Sequence, residues 1–308
     1  MLFITYQNKI GKLDFGGGDS SRNFKILDVE GLSLPPKNLN AVSYPGEVGQ
    51  RTISESAGPR TITLQCDLHS SNGNRYELSK ALKILDKPGT LVIRSGNSTR
   101  KISARCIDAA PGERHGGYRV LILQFMCDYP YFEDKEDTNV HIFRRENKIK
   151  TTFTLPDILS KRVSEATVTN LGDTDAEPAI IITMLDDTVD GNLAIKISNV
   201  FHEGDVKTKQ SLDLFFPINI VTKNASGSDQ TIAYTPSKGE IITLDITGRK
   251  IFNQNGDNLI SCLSNTSFLS DFWLSGGSNE VAVELVPFTS SCTVVCKFSN
   301  KYVEAVIA

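Results

Sequence analysis

Residues 59–93 read PRTITLQCDLHSSNGNRYELSKALKILDKPGTLVI and place a strand, a helix and a second strand in close succession. Apolar and polar residues alternate over 61–68, and a period of two is typical of a strand with one buried face. After a polar turn, leucine and alanine recur at helical spacing as far as Leu85. Pro88 and Gly89 then end the helix, because proline cannot continue its hydrogen bonds and glycine accepts a left-handed backbone. The stretch predicts one amphipathic helix on a β-sheet, and no second helix of comparable quality is predicted elsewhere.

The composition is that of an ordinary folded chain. The 308 residues carry a formal net charge of −3, which gives no electrostatic basis for holding nucleic acid or an anionic membrane. The amino terminus has no basic leader followed by an apolar stretch, and nothing approaches the ~20 apolar residues that cross a bilayer. We therefore expect synthesis in the cytoplasm, no membrane insertion and no sequence-specific binding of nucleic acid.

The six cysteines are expected to be reduced and to fill the core, since free cysteine packs as a small hydrophobe. Four of them share the phase of aliphatic neighbours along their strands: Cys66, Cys106, Cys292 and Cys296. Cys127 ends an apolar run, and Cys262 is the one cysteine in a polar setting. The spacing of Cys292 and Cys296 lacks a second ligand pair, so neither a metal nor a cofactor is predicted.

A charged run at 133–137 marks the expected domain boundary, and it gives domains 1–137 and 138–308. Before it, residues 120–127 are apolar on both faces except for Gln124, which predicts a central strand covered on both sides. After it, short strands alternate with Gly- and Asn-containing turns, a pattern typical of a β-sandwich or jelly roll. These strands are expected at 166–170, 178–184, 193–198, 211–221, 241–246, 281–285 and 293–298.

The segment 41–58 predicts a projecting hairpin or arm. It has strand propensity at both ends, glycines within it, mixed charge and too few apolar residues to be buried against its own domain. A mobile surface loop is the alternative, and composition alone favours neither.

Motifs that would indicate catalysis are absent from the sequence. The four histidines form no His-Glu-x-x-His pattern, and no Gly-x-Ser-x-Gly occurs. A hydrolase on a sandwich scaffold stays open, because paired carboxylates cannot be recognised without a motif. Trp273 is a candidate sugar platform, since sandwich modules stack sugar rings on exposed aromatic side chains. A core position is the commoner role for a tryptophan between Phe272 and Leu274.

Several stretches, taken in order, resemble the distal tail protein family of siphophages. They are YPGEVG at 44–49, RTITL at 60–64, LDKPGTL at 85–91, CDYPYFED at 127–134, NLGD at 170–173 and FWL at 272–274. The resemblance covers most of the chain, and its departures, such as Ser275-Gly276 in place of a proline before the next glycine, concern loops.

This resemblance implies a mainly β protein with one helix. An N-terminal β-barrel-like or α+β domain would assemble into a hexameric ring, and a galectin-like or carbohydrate-module-like β-sandwich would follow. The implied role is structural, at the virion tail tip, with no enzymatic activity. The implied partners are further copies of the chain, the tail tube protein, the tail-associated tip protein and receptor-binding or baseplate proteins. The alternative function is a carbohydrate-binding attachment module of the tail tip.

We predict that the arm lies at the interface between subunits of this ring. Its unpaired backbone groups can pair with the sheet edge of a neighbouring copy. The candidate interface residues are Tyr44, Pro45, Gly46, Glu47, Gly49 and Arg51.

Overall fold

The computed structural model describes residues 2–16, 24–46, 48–68, 74–115, 118–144, 163–187, 192–223, 229–286 and 291–305. The chain divides into two compact units. Unit 1 consists of residues 1–135 and 301–308, and unit 2 of residues 136–300. Unit 2 is therefore an insertion into unit 1, and the predicted division into 1–137 and 138–308 did not include this return of the chain.

The strands are numbered in chain order. Unit 1 begins with β1 (Leu2–Gln7), β2 (Lys12–Gly16), β3 (Phe24–Glu30), β4 (Lys37–Val42), β5 (Arg51–Ala57), β6 (Arg60–Leu68), β7 (Gly89–Ser95), β8 (Ser98–His115), β9 (Tyr118–Cys127) and β10 (Phe132–Asp134). Unit 2 contains β11 (Thr138–Arg144), β12 (Val163–Asn170), β13 (Ala179–Met184), β14 (Leu193–Glu203), β15 (Val206–Phe216), β16 (Ile218–Lys223), β17 (Asp229–Tyr234), β18 (Ile241–Asp245), β19 (Lys250–Asn253), β20 (Gly277–Val286) and β21 (Cys292–Phe298). The last strand, β22 (Lys301–Tyr302), belongs to unit 1.

Seven strands of unit 1 form a closed barrel. Their order is β8-β7-β1-β2-β3-β6-β9, and β9 pairs again with β8 to close the ring of strands. The pairs are antiparallel except for the short parallel contact of β2 with β3. β10 and β22 continue the sheet beyond β8. The predicted barrel-like first domain is confirmed.

Alternation along the strands builds the barrel interior. On β6, Ile62 and Leu64 are buried and lie opposite Phe125 and Leu123 of β9. The outer face of β9 is not covered, and Met126 keeps 37% of its surface exposed. The expectation that this strand is covered on both sides is therefore wrong: a barrel strand has two hydrogen-bonded neighbours, but only its inner face enters the core.

The predicted helix is present as α1 (Asn74–Leu85). Ala81, Ile84 and Leu85 are buried, whereas Leu82, which the spacing had placed on the same face, is largely exposed. After the helix, a Cβ on Gly89 would lie 2.5 Å from the carbonyl oxygen of Gln7. The requirement for glycine here is close packing, and not the left-handed backbone expected from the sequence.

Two sheets form a sandwich in unit 2. One has the order β11-β21-β13-β18-β19 and the other β12-β20-β14-β15. One continuous apolar core takes side chains from both sheets, for example Ile180, Ile182 and Val294 from the first and Ile195, Ile197, Leu214 and Val283 from the second. A separate ribbon of β16 and β17 also contributes to it.

Most of the strands expected in the second half are present. The exception is the run 211–221, which is divided into β15 and β16 around Pro217. Proline has no N–H to give to a sheet, so a strand tends to end there. Strands β11, β17 and β19 were not predicted.

Candidate assembly site: the exposed hairpin

The predicted arm is a two-stranded antiparallel hairpin. β4 pairs with β5 from Lys37 opposite Ala57 to Val42 opposite Arg51, and the register shifts by one residue at Ile53. In the described part of the chain these two strands form a sheet of their own, hydrogen-bonded only to each other. We call residues 37–57 the arm.

The arm lies in the chain between β3 and β6, which pair with each other in the barrel. Prolines at its base interrupt the pairing, because Pro35, Pro36 and Pro59 have no N–H to donate. The amide of Gly58 donates to the carbonyl of Pro36 at 2.7 Å and closes the base of the hairpin. Six paired residues at about 3.3 Å each give the arm a length of about 20 Å.

No residue of β4 or β5 is buried. Leu39 and Ile53 are 56% and 63% exposed, and Val48 at the tip is fully exposed. Large apolar side chains in this number on one thin ribbon are unusual for a surface that stays in water. The arm therefore presents two unpaired strand edges and an apolar surface at the same time.

The tip has a defined turn. Gly46 and Gly49 adopt positive φ angles of 88° and 97°, and Ser43 Oγ donates to the carbonyl of Gly49 at 3.3 Å. The guanidinium carbon of Arg51 lies 5.8 Å from the centre of the Tyr44 ring, within the range of a cation–π contact. Tyr44, Pro45, Gly46, Gly49 and Arg51 are predicted interface residues, whereas Ser43 was not predicted. The sixth predicted residue, Glu47, lies outside the described residues.

Trp273 is half-buried, and both its backbone N–H and its backbone carbonyl form hydrogen bonds with side chains. Its N–H donates to Oε1 of Gln210 at 3.1 Å, and its carbonyl accepts from Nδ2 of Asn199 at 2.8 Å. The ring lies 6.2 Å from that of Phe201, and its Nε1 is buried without a hydrogen-bond partner. The indole N–H thus cannot reach a ligand at the surface, although part of the ring can.

All six cysteines are free thiols. Burial raises the pKa to about 12 for Cys66, Cys127, Cys262, Cys292 and Cys296, and to about 11 for Cys106. Thiols with such pKa values stay protonated at neutral pH and lack the thiolate that a nucleophile or a metal ligand requires. Cys262, although its sequence neighbours are polar, is buried in the core of unit 2, as expected for a core-filling thiol.

Across the described ranges, no three His, Cys, Asp or Glu side chains lie close enough together to hold a metal ion. Among those same residues no helix has the length and apolarity that a membrane crossing requires.

Comparison with known proteins identifies the fold. No protein-family model and no curated protein matches the chain. Among solved structures, the chain is similar to the Dit protein of phage SPP1, described as a paradigm of the hub adsorption apparatus in phages that infect Gram-positive bacteria. The two share 15% identity with a TM-score of 0.63, over 98% of this chain and 99% of that one. Chains of the phage P2 baseplate in its activated conformation with Ca or Sr are 11% identical over 96% of this chain and 97% of theirs, with TM-scores of 0.42 and 0.41.

The SPP1 Dit protein and this chain thus have a common fold over nearly their whole lengths. The resemblance to distal tail proteins, inferred from short stretches of sequence, is confirmed at the level of the fold.

Proposed function

We propose that this chain is a distal tail hub protein, a structural virion component that assembles through its arm into a ring at the tip of a phage tail. The observation that carries the proposal is the exposed arm on a Dit fold. The role is structural and not catalytic, in agreement with the buried, protonated thiols of the described core.

The physical argument starts from the cost of an isolated ribbon. A single two-stranded hairpin is at best marginally stable in water, and its outer backbone groups act as a template for another strand. A neighbouring copy that covers the arm would remove Leu39, Ile53 and Val48 from water at once. Each fully buried aliphatic side chain of this size contributes about 1.5–3 kcal/mol.

In this proposal the ring is a homo-hexamer. It joins the tail tube protein to the tail-associated tip protein and to receptor-binding or baseplate proteins. The chain is synthesised in the cytoplasm of the host bacterium and becomes part of the virion tail tip. The net charge of −3 suits a passage through which nucleic acid slides without sequence-specific binding.

The test is the mass of the purified protein in solution, measured by light scattering together with negative-stain images. We expect rings with a central hole and six times the 33.8 kDa mass of one chain. Charges placed on the arm by Leu39→Lys with Ile53→Lys should yield monomers, because the lysines would have to be buried on assembly. The matched control is Ile10→Lys, at a position 56% exposed in unit 1 outside the arm, which should leave the ring intact.

Two results would contradict the proposal. One is a wild-type chain that stays monomeric at high concentration. The other is a ring that tolerates the two arm lysines as well as it tolerates the lysine at position 10.

Carbohydrate binding by unit 2 is the second candidate, favoured by the part of the Trp273 ring that remains at the surface. If the ring stacks on a sugar, Trp273→Ala should abolish retention on host cell-wall glycan. Phe268→Ala, at an exposed aromatic position of the same unit, is the control and should keep retention. Retention that survives Trp273→Ala would reject this platform, and absence of retention by the wild type would reject the function.

A further inference from the structure

The base of the arm contains a fully buried arginine. Arg60 is the first residue of β6, directly after the arm, and only 1% of its surface is exposed. Its guanidinium carbon lies 4.4 Å from the centre of the Phe132 ring. Burial lowers its pKa to about 10, so the side chain still carries its charge at neutral pH.

This guanidinium holds three backbone carbonyls. Nη1 donates to Gly31 at 3.0 Å and to Ser33 at 2.7 Å, and Nη2 donates to Val303 at 2.6 Å. Gly31 and Ser33 belong to the segment that leads into the arm, whereas Arg60 itself follows the arm. One side chain therefore bridges the two ends of the arm and the carboxy-terminal segment.

The carboxy-terminal segment adds a contact of its own. The amide of Ala305 donates to the carbonyl of Leu32 at 2.9 Å, and Ala305 is buried. The three successive carbonyls of residues 31–33 are thus all engaged, two by Arg60 and one by Ala305. We call this group, formed by Arg60, 31–33 and 303–305, the socket.

A charged side chain is a costly way to fill such a space. Taking a guanidinium out of water costs several kcal/mol, and an apolar side chain of similar volume often gives equal or greater stability. What the guanidinium adds is direction, because its planar fork fixes its partners in one geometry, which the compact ammonium of lysine does not do. Glycine at position 31 permits this arrangement: its φ is +84°, and a Cβ there would lie 2.2 Å from the carbonyl oxygen of Thr61.

We infer that Arg60 is a positioning residue for assembly: through the socket it fixes the direction in which the arm leaves the barrel, and the carboxy-terminal segment is part of that device. The inference rests on the proposed function, since a fixed direction matters only if the arm must reach a neighbouring copy. A flexible arm would lose conformational entropy each time it bound a neighbouring copy. This loss would weaken assembly.

Arg60→Lys tests the inference, because it keeps the charge and most of the stem but loses the fork. We expect ring assembly, measured by sedimentation well below the melting temperature, to weaken about tenfold, which corresponds to 1.4 kcal/mol. The control is Ile93→Val, which lowers stability without touching the socket. Ile93 lies on β7, and its side chain is fully buried in the apolar core of unit 1.

The two variants separate positioning from stability. If Arg60 only stabilises unit 1, both variants should lower the melting temperature and affect assembly in the same proportion. If Arg60 positions the arm, Arg60→Lys should weaken assembly far more than Ile93→Val does for the same loss of melting temperature. Equal effects, or wild-type assembly by Arg60→Lys, would overturn the inference.

A distance measurement gives a readout that does not depend on ring formation. Spin labels on Val48→Cys and Ile10→Cys, with the half-buried Cys106 replaced by alanine, report the distance from arm tip to barrel in samples diluted below the concentration of assembly. We expect a narrow distribution that widens in Arg60→Lys; an unchanged width rejects positioning. Failure of the proposed function would be seen in a different measurement. The variant Leu39→Lys with Ile53→Lys would then have the same oligomeric state as the wild type.

Discussion

Two ribbons in the described part of the chain lie outside its larger sheets, and their surroundings differ. The β16–β17 ribbon of unit 2 places Ile220 and Tyr234 in the core, with 4% and 8% of their surfaces exposed. The Tyr234 ring also meets that of Phe216 edge-on at 6.2 Å. The arm, of similar length, buries no residue of either strand. A two-stranded ribbon is marginal by itself, and the first ribbon is stabilised by the core of its own unit. The second has no such support from the described residues of its unit, and in the proposed ring a neighbouring copy supplies it.

The largest expected effect compares one isoleucine from each ribbon. Ile220→Ala should lower the free energy of unfolding by about 3 kcal/mol, because it leaves a cavity in the core of unit 2. Ile53→Ala should change it by less than about 0.5 kcal/mol when the protein is diluted below the concentration of assembly. Urea unfolding of both variants at that dilution measures the difference. A large loss for Ile53→Ala in the monomer would show that the arm packs on its own unit.

A smaller effect should appear in the pH dependence of stability. Burial and the nearby carboxylate of Glu240 raise the pKa of Tyr234 in the folded protein, and its hydroxyl donates to Oε2 of Glu240 at 3.2 Å. Tyrosine in the unfolded chain ionises near pH ~10. Above that pH the unfolded state loses a proton that the folded state keeps, so stability falls by about 1 kcal/mol between pH 10 and pH 11.

Tyr234→Phe removes this titration and gives the measurement its control. Unfolding by urea at pH 10 and at pH 11 should show the wild type losing about 1 kcal/mol more than the variant. Equal losses of unfolding free energy in the two proteins would mean that the β16–β17 ribbon does not bury Tyr234 in solution. The contrast between the two ribbons would then disappear.

The parts of the fold that depend on local pattern could be predicted from the sequence. Alternation located β6 and its buried Ile62 and Leu64, and helical spacing with Pro88 located α1 and its end. A hairpin at 41–58 could be proposed, but the sequence did not distinguish it from a surface loop. The reason is that an exposed ribbon has no buried face and therefore no periodic pattern of apolar residues.

The socket could not be predicted, for a physical reason. Arg60 has the phase of the buried Ile62 and Leu64, but arginine is rarely fully buried unless it is paired, and the alternation names no partner for it. Its partners are backbone carbonyls, which any residue type supplies. One of them, Val303, lies 243 positions away along the chain. The same holds for β22, whose two residues carry too little pattern to be recognised as a strand. Contacts between distant backbone groups leave no mark in composition or spacing.

The pairing of β10 with β22 has a mechanical consequence. Phe132 lies opposite Tyr302 and Glu133 opposite Lys301, so the chain leaves unit 1 and re-enters it at adjacent positions. The inserted unit is held by two covalent connections instead of one. If a protease cut a loop of unit 2, each of the two fragments would still contain at least one strand of unit 1: β1–β10 in the first fragment and β22 in the second. A single break in unit 2 would not detach either fragment from unit 1.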